Sequence, residues 1–172
     1  MRTYLDGMDA VASERAPAPR LLAALGDGML RLSAARALGA HSYFVPVAHT
    51  AHARAVLGPE PVLAVEQGVV PATEPADTRS IARAWARGYL ELPNYANNWR
   101  RLGFDDEVTG GGSDRLIDAG FVWGDPDVVT ERVREHLDAG ADHVCVQVIG
   151  ADEDTDADVT VLRAIAPTLL SL

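Results

Sequence analysis

The sequence predicts an α/β protein whose strands run parallel to one another. Short apolar runs alternate along the chain with segments of helical periodicity, so that each strand is followed by a helix and not by a hairpin turn. Strands that are separated by helices pair in parallel, through right-handed crossovers. A third observation is the run VLAVEQGVV at 62–70, whose β-branched residues are typical of a buried parallel strand.

The chain opens with a helix and a first strand. Residues 1–11 place Leu5, Met8 and Val11 on one helical face, and the prolines of the next segment, SERAPAPR, are expected to end this helix. The apolar run LLAAL at 21–25 then predicts the first strand.

The second strand, predicted at 41–47, has a helix on each side. The helix before it is expected to end at Gly39, and the helix after it covers 48–58. The buried stripe of the first of these helices is predicted to contain Leu30, Ala34, Ala37 and Leu38.

The third strand, 62–70, leads into a long helix and an irregular segment. The apolar residues Ile81, Trp85 and Tyr89 recur at four-residue spacing in that helix. Residues 92–124 show no simple period, and we expect them to form an insertion of short helices before the last strand.

The last unit is a helix, a strand and a final helix. Asp125 as N-cap and Pro126 at the first helical position open a helix that is expected to end at Gly140. On this helix, His136 is predicted to lie at the surface. The run HVCVQVI at 143–149 predicts the fourth strand.

Four parallel strands leave two architectures open. They fit half of a (β/α)8 barrel, a fold that usually needs about 250 residues, or a small doubly wound sheet with helices on both faces. Periodicity alone does not choose between them. With 172 residues, 48% of them apolar, residues 1–172 fit a single domain with a real core.

Composition excludes several classes of function. A formal charge of −10 argues against nucleic acid as a partner, because such binding depends on basic clusters. The 15 basic residues are all Arg, which excludes a Schiff-base lysine and a Walker lysine and is typical of GC-rich bacterial genomes. A single cysteine, Cys145, allows neither an intrachain disulfide nor a thiolate metal cluster, and no metal site is predicted. Without an apolar stretch of roughly 18 residues or a signal-like N-terminus, we expect a cytoplasmic protein that binds no membrane.

Several segments resemble, in the same order, the C-terminal half of the bacterial-luciferase-like flavin and deazaflavin oxidoreductases. The nearest branch is similar to enzymes that use coenzyme F-420. The segments are RLLAALGDGMLRLSAARALGAHSYFVPVAHTAHARAVLGP, LAVEQGVV, LPNYANNWRRLGF, GGSDRLIDAGFVWGD and HLDAGADHVCVQVI.

The resemblance implies a (β/α)8 barrel of roughly twice this length, in which this chain carries strands five to eight. It also implies that coenzyme F-420, or alternatively FMN, binds at the C-terminal ends of the strands. The implied chemistry is hydride transfer to, or oxygenation of, a small organic substrate. No general acid, base or nucleophile is assigned on this chain, because the family's first four strands supply those groups.

The corner after the first strand is the predicted cofactor site, formed by Ala24, Leu25, Gly26, Asp27 and Gly28. It matches the family's A-x-G-P corner, which offers backbone amides to the cofactor phosphate. Glycine permits close approach, and a helix N-terminus attracts an anion. The alternative is that Gly26 and Gly28 only make a tight turn. Asp27 stands where the family commonly has proline, and its carboxylate is expected to compete with phosphate for the same N–H groups.

A second group of residues is predicted to line a substrate or cofactor pocket, each with a structural alternative. His49 and Thr50 match the family's H-T-x-x-A-R, and the alternative is a capping role. Glu66 and Gln67 either line the barrel mouth or face a hydrogen-bonded core neighbour. Four residues of the insertion are also expected to wall the pocket: Asn94, Tyr95, Asn97 and Asn98. The alternative for the three asparagines is a role as helix cap or turn former.

A half barrel leaves two unpaired edges and an exposed inner face, so something has to cover it. Burying 500 Å² of that face is worth roughly 12 kcal/mol, comparable to the stability of a whole domain. Three partners or states remain open. The chain is complemented by a missing N-terminal half, or two copies of it associate as a binding or dimerisation module without redox chemistry, or it is a truncated, inactive remnant.

Overall fold

The computed structural model describes residues 1–11, 19–150 and 155–172. The proline-rich break predicted after the first helix lies largely outside these residues. Within the described ranges, one parallel sheet contains β1 Leu21–Ala23, β2 Gly39–Ser42, β3 Val62–Val70, β4 Phe121–Trp123 and β5 His143–Val148. The helices are α1 Arg2–Val11, α2 Asp27–Arg36, α3 Val47–Leu57, α4 Pro75–Leu90, α5 Pro93–Trp99, α6 Asp114–Gly120, α7 Pro126–Asp138 and α8 Thr155–Leu169. A π-helical turn, Arg100–Phe104, and a 3-10 segment, Asp105–Gly111, connect α5 to α6.

The central strand of the sheet is β3. It pairs with β2 through residues 62–65 and with β4 through residues 68–70. Because β5 pairs with residues 64–69 and overlaps both stretches, β2 and β4 share one edge of β3 and β5 occupies the other. In the described part of the chain, β1 pairs only with β2 and β5 only with β3, so each has an unpaired edge.

Helices α2, α3 and α7, which connect β1 to β2, β2 to β3 and β4 to β5, lie on one face of the sheet, which we call the outer face. Leu63 and Val65 of β3 pack against α2 and α3, and Val69 packs against Val129 of α7. Odd-numbered residues of a strand share one face, so these contacts are all on the same side. A doubly wound sheet has crossover helices on both faces, whereas a barrel has them in one outer ring. The half-barrel prediction, with an insertion before the last strand, is confirmed over the doubly wound alternative.

The opposite, inner face is partly covered by α4 and by the insertion. Trp85 and Tyr89 of α4 pack on Tyr43, with ring centroids 5.9 and 5.6 Å away, and Tyr95 of α5 packs on Phe44 at 6.2 Å. Near the N-terminal ends of β3 and β5 the face stays open. In the layer that Ala23 forms with His41, Ala64 and His143, the two edge residues Ala23 and His143 are exposed. The predicted exposure of the inner face is therefore correct only at the N-terminal ends of the strands. At the C-terminal ends, aromatic residues of α4 and α5 shield it.

Several boundaries in the first half differ from the sequence prediction, and both β1 and β2 end earlier than expected, at Ala23 and Ser42. Helix α2 ends at Arg36, Leu38 is 55% exposed, and Gly39 is the first residue of β2. A Cβ atom on Gly39 would lie 1.8 Å from the carbonyl oxygen of Val62, so glycine is required by the close approach of β2 to β3. The short strand β4 was not predicted, because three residues carry no period. None of the described helices is both long enough and apolar enough to cross a membrane.

Candidate functional site

The corner after β1 carries the residues that the sequence predicts to bind a cofactor. Ala24 is buried, and its N–H donates to the carbonyl oxygen of His41 in β2 (3.0 Å). The carbonyl oxygen of Leu25 lies 2.9 Å from Nε2 of His49 on α3. The chain then turns into α2 at the N-cap residue, Gly26. The backbone of the corner is therefore fixed from both neighbouring elements.

Neither glycine of this corner is required by the backbone. Gly26 has φ −98° and ψ 158°, an extended conformation open to any residue, and Gly28 is not among the residues with positive φ. A Cβ atom on Gly26 would meet only a guanidinium nitrogen of Arg101, at 3.6 Å, and one on Gly28 would meet no described atom within 4 Å. The tight-turn alternative thus has little support. What the two glycines provide is open space at the start of a helix, where a ligand can approach the backbone.

A cavity of about 580 Å³ lies over this helix start, and we call it the corner cavity. One wall comes from the start of α2 and from α3, and the other comes from α5 and the π-helical turn of the insertion. The lining residues are Gly26, Asp27, Gly28, His52, Asn98, Arg101 and Leu102. The cavity therefore joins the first strand-helix unit to the insertion.

Two polar residues of the insertion border the corner cavity. Asn98 is only 2% exposed, and its Oδ1 accepts a hydrogen bond from Nη2 of Arg101 (3.2 Å). Its Nδ2 has no partner among the described residues. A buried donor that stays unpaired costs about 1–3 kcal/mol. That nitrogen is closed off from solvent, so Asn98 acts on the cavity by holding Arg101, whose exposed guanidinium is suited to receive an anion.

The N-terminus of α2 adds a second source of positive potential. This helix has ten residues, and no side chain caps it at Gly26. The first N–H groups of a helix have no partner within the helix, and the helix dipole places about half a positive charge there. The corner cavity therefore combines a helix terminus and a guanidinium, two groups that attract a phosphate.

The carboxylate of Asp27 is directed away from these N–H groups. Its Oδ1 lies 2.8 Å from Nε2 of His52, and its Oδ2 accepts from Arg31 at 3.1 Å. The contact with His52 lowers the pKa of Asp27, so this carboxyl stays ionised. The predicted competition for the first-turn N–H groups is not seen, because His52 and Arg31 engage both oxygens. The negative charge nonetheless remains at the cavity wall.

Thr50 and Gln67 belong to a buried polar network on the outer face. Thr50 Oγ1 lies 2.8 Å from Nδ1 of His136, and Nε2 of His136 lies 3.0 Å from Oε1 of Gln67. Burial lowers the pKa of His136 to about 4, so its imidazole is neutral. The prediction of His136 as a surface residue is wrong, because α7 turns it toward β3, where it is fully buried. Of the two alternatives for Gln67, the structure shows the hydrogen-bonded core neighbour.

His49 stands behind the corner cavity and does not border it. The side chain is fully buried, and its Nε2 contacts the carbonyl oxygen of Leu25. Burial lowers the pKa of His49, so the neutral imidazole is favoured. His49 therefore acts on the cavity only through the backbone that it holds in place.

Glu66 points to the inner face and is 5% exposed. Its Oε2 accepts a hydrogen bond from the N–H of Phe44 (3.0 Å), while its Oε1 has no partner among the described residues. Burial raises the pKa of Glu66 to about 7. Phe44 has φ 52°, a left-handed conformation that is unusual for a bulky residue. Glu66 thus holds a strained residue at the C-terminal end of the sheet.

The predicted asparagine segment contributes one residue to the corner cavity. Asn94 lies in the first turn of α5, is exposed and does not line the corner cavity, whereas Asn98 lies one turn later on the buried side. Arg101 was missed as a site residue. Its only signal in the sequence is its place in the segment NNWRR, three residues after Asn98.

Comparison with known proteins gives matches among solved structures only. No protein-family model matches the chain, and no curated protein matches it. One similar structure is an F-420-dependent secondary alcohol dehydrogenase in complex with an F-420-acetone adduct, with a TM-score of 0.64, 11% identity, and coverage of 88% of this chain and 48% of that chain. A second is the F-420-dependent tetrahydromethanopterin reductase from Methanopyrus kandleri, with a TM-score of 0.56, 17% identity, and coverage of 88% and 51%.

A third match is a flavoprotein. It is the oxygenating constituent of 3,6-diketocamphane monooxygenase from Pseudomonas putida in complex with FMN, with a TM-score of 0.52, 22% identity, and coverage of 91% of this chain and 50% of that chain. The chain thus spans about half the length of these structures. The parallel sheet, with α2, α3 and α7 on its outer face, defines the protein as a parallel half barrel. Its fold is a half-size luciferase-like fold.

Proposed function

We propose that this chain is the phosphate-binding half of a luciferase-like oxidoreductase or monooxygenase. The cofactor would be reduced coenzyme F-420, with FMN as the alternative. The observation that carries the proposal is the corner cavity, where a bare helix N-terminus and Arg101, which Asn98 holds through a hydrogen bond, meet beside β1. The similar structures that contain an F-420 adduct or FMN support the choice of ligand.

Each residue of the corner has a distinct task in this proposal. Gly26 and Gly28 let the phosphate approach the first-turn N–H groups of α2. Arg101 donates hydrogen bonds from the insertion, and Asn98 holds its guanidinium in place. His49 holds the carbonyl oxygen of Leu25 and so keeps the corner in position. The bound cofactor would supply hydride transfer to, or oxygenation of, a small organic substrate, while the protein positions and shields it.

The unpaired edges of β1 and β5 call for a partner. We propose that a complementary N-terminal half pairs with both edges and covers the open end of the inner face, with residues 1–172 acting as one domain. The similar structures support this, because they are about twice as long as this chain. A second copy of the chain is the alternative partner. Concentration-dependent dimerisation of the isolated chain would favour that alternative.

The corner is tested by replacing Gly26 with valine. Valine adopts the backbone conformation of Gly26, so the fold is expected to survive, while the branched side chain fills the approach to the helix N–H groups. We expect at least a ten-fold loss of affinity for coenzyme F-420, measured by fluorescence titration. Binding of the same deazaflavin without its phosphate tail is expected to change much less.

Gly88→Val is the matched control for this variant. Gly88 is exposed on α4, and a Cβ atom there meets no described atom within 4 Å. Its affinity for coenzyme F-420 is expected to equal that of the unmodified chain. Unchanged affinity in the Gly26→Val variant would show that the corner does not hold the phosphate.

A further inference from the structure

The lining of the corner cavity contains three ionisable side chains. The lining contains one arginine, Arg101, one carboxylate, Asp27, and one histidine, His52. Arg31 bonds Asp27 from outside the lining, and His49 lies behind the corner. Asp27 is ionised, since His52 lowers its pKa. The helix N-terminus and Arg101 therefore share the lining with one carboxylate, whose charge Arg31 offsets from outside the cavity.

That charge has a fixed place. Asp27 is the first residue of α2, and its carboxylate is held from two directions, by Arg31 one turn later on the same helix and by His52 on α3. The carboxylate is thus kept at the wall of the cavity. A ligand that enters the corner has to lie beside it.

A second negative charge on the ligand is therefore penalised. A phosphomonoester carries a charge of about −1.5 to −2 at pH 7, whereas a phosphodiester carries a single charge. At roughly 5 Å from a carboxylate in a partly exposed site, each additional negative charge lowers affinity by roughly five- to ten-fold. Arg101 and the half positive charge of the helix terminus together neutralise a ligand with one negative charge, but not a ligand with two.

We propose that the corner cavity selects a phosphodiester monoanion over a phosphomonoester dianion, with Asp27 as the residue that sets this preference. The inference rests on the proposed function for the identity of the cofactor. Coenzyme F-420 carries a phosphodiester and FMN carries a phosphomonoester, so the corner favours the deazaflavin.

The test uses the two simplest esters, dimethyl phosphate and methyl phosphate, titrated into the full chain and followed by NMR. At pH 8 the diester is expected to bind five- to ten-fold more tightly than the monoester. At pH 5 the monoester is mostly a monoanion, because its second pKa is about 6, and the two esters are expected to bind equally. At pH 5 both esters are mainly monoanions, so each charged group of the lining acts almost equally on the two.

Asp27→Asn removes the charge and is expected to abolish the preference at pH 8, chiefly by strengthening the binding of methyl phosphate. Asp114→Asn is the matched control, since Asp114 is likewise the first residue of a helix and is paired with Arg83. Its preference is expected to equal that of the unmodified chain. If methyl phosphate binds as tightly as dimethyl phosphate at pH 8, the inference is overturned while the proposed function stands. If neither ester binds, both are overturned.

Discussion

Replacing Trp99 with alanine is expected to lower the free energy of unfolding by roughly 3–5 kcal/mol, the usual cost of truncating a fully buried tryptophan. Trp99 lies at the centre of the aromatic cluster between the sheet and the insertion. Its ring centroid is 5.2 Å from that of Phe44 and 5.0 Å from that of Phe104. Trp99 also packs closely on Gly120, where an added Cβ atom would lie 3.2 Å from the indole ring. Chemical denaturation measures the loss.

The same substitution is expected to open the corner cavity. Trp99 directly follows Asn98 and precedes Arg101 by two residues, so we expect the indole to anchor the segment that holds Arg101 at the cavity. Trp99→Phe separates ring packing from the indole N–H, which has no partner among the described residues. We expect a clearly smaller loss for phenylalanine. An equal loss in both variants would contradict the packing explanation.

The second large effect concerns Glu66 and is a dependence of stability on pH. Its pKa rises from 4.5 to about 7 on folding, because burial disfavours the charged form. The folded state therefore binds a proton that the unfolded state has lost between these values. The contribution of Glu66 to stability is fully present below about pH 4.5, falls as pH rises toward 7 and is then constant. Between pH 5 and pH 8 the loss is roughly 2–3 kcal/mol.

Glu66→Gln removes this titration and keeps an acceptor for the N–H of Phe44. The free energy of unfolding of the variant minus that of the unmodified chain is expected to increase by the same 2–3 kcal/mol between pH 5 and pH 8. Urea denaturation at a series of pH values measures this difference, in which the other titrating groups cancel. A difference that is independent of pH would show that Glu66 is not buried as described.

Much of the fold is visible in the sequence because it depends on local periodicity. The run at 62–70 is the central strand, and Pro126 begins α7 where its fixed φ predicts. The boundaries that differ depend on contacts between distant residues. Gly39 resembles a helix terminator, and only the approach of Val62 shows that it begins a strand. The cover over the inner face has the same origin, since no local pattern says where Trp85 and Tyr89 pack.

The site could be predicted only in part, for a similar reason. The glycine corner is contiguous in sequence and carries its own signal. Arg101 and Asn98 reach it from an aperiodic insertion some 70 residues away along the chain. His136 is a polar residue with two polar partners, and sequence alone does not distinguish such a residue from a solvated one. Whether the residues of the corner bind a cofactor remains a proposal.

The most direct test of a phosphate-binding half barrel is an NMR titration of the isotope-labelled chain with coenzyme F-420. We expect saturable shifts of the backbone amides of Asp27, Gly28 and Arg101, with little change at the open end of the inner face. These shifts are expected to disappear in the Gly26→Val variant and to persist in Gly88→Val. Shifts that lie elsewhere, or that survive in Gly26→Val, would contradict a phosphate-binding role of the corner.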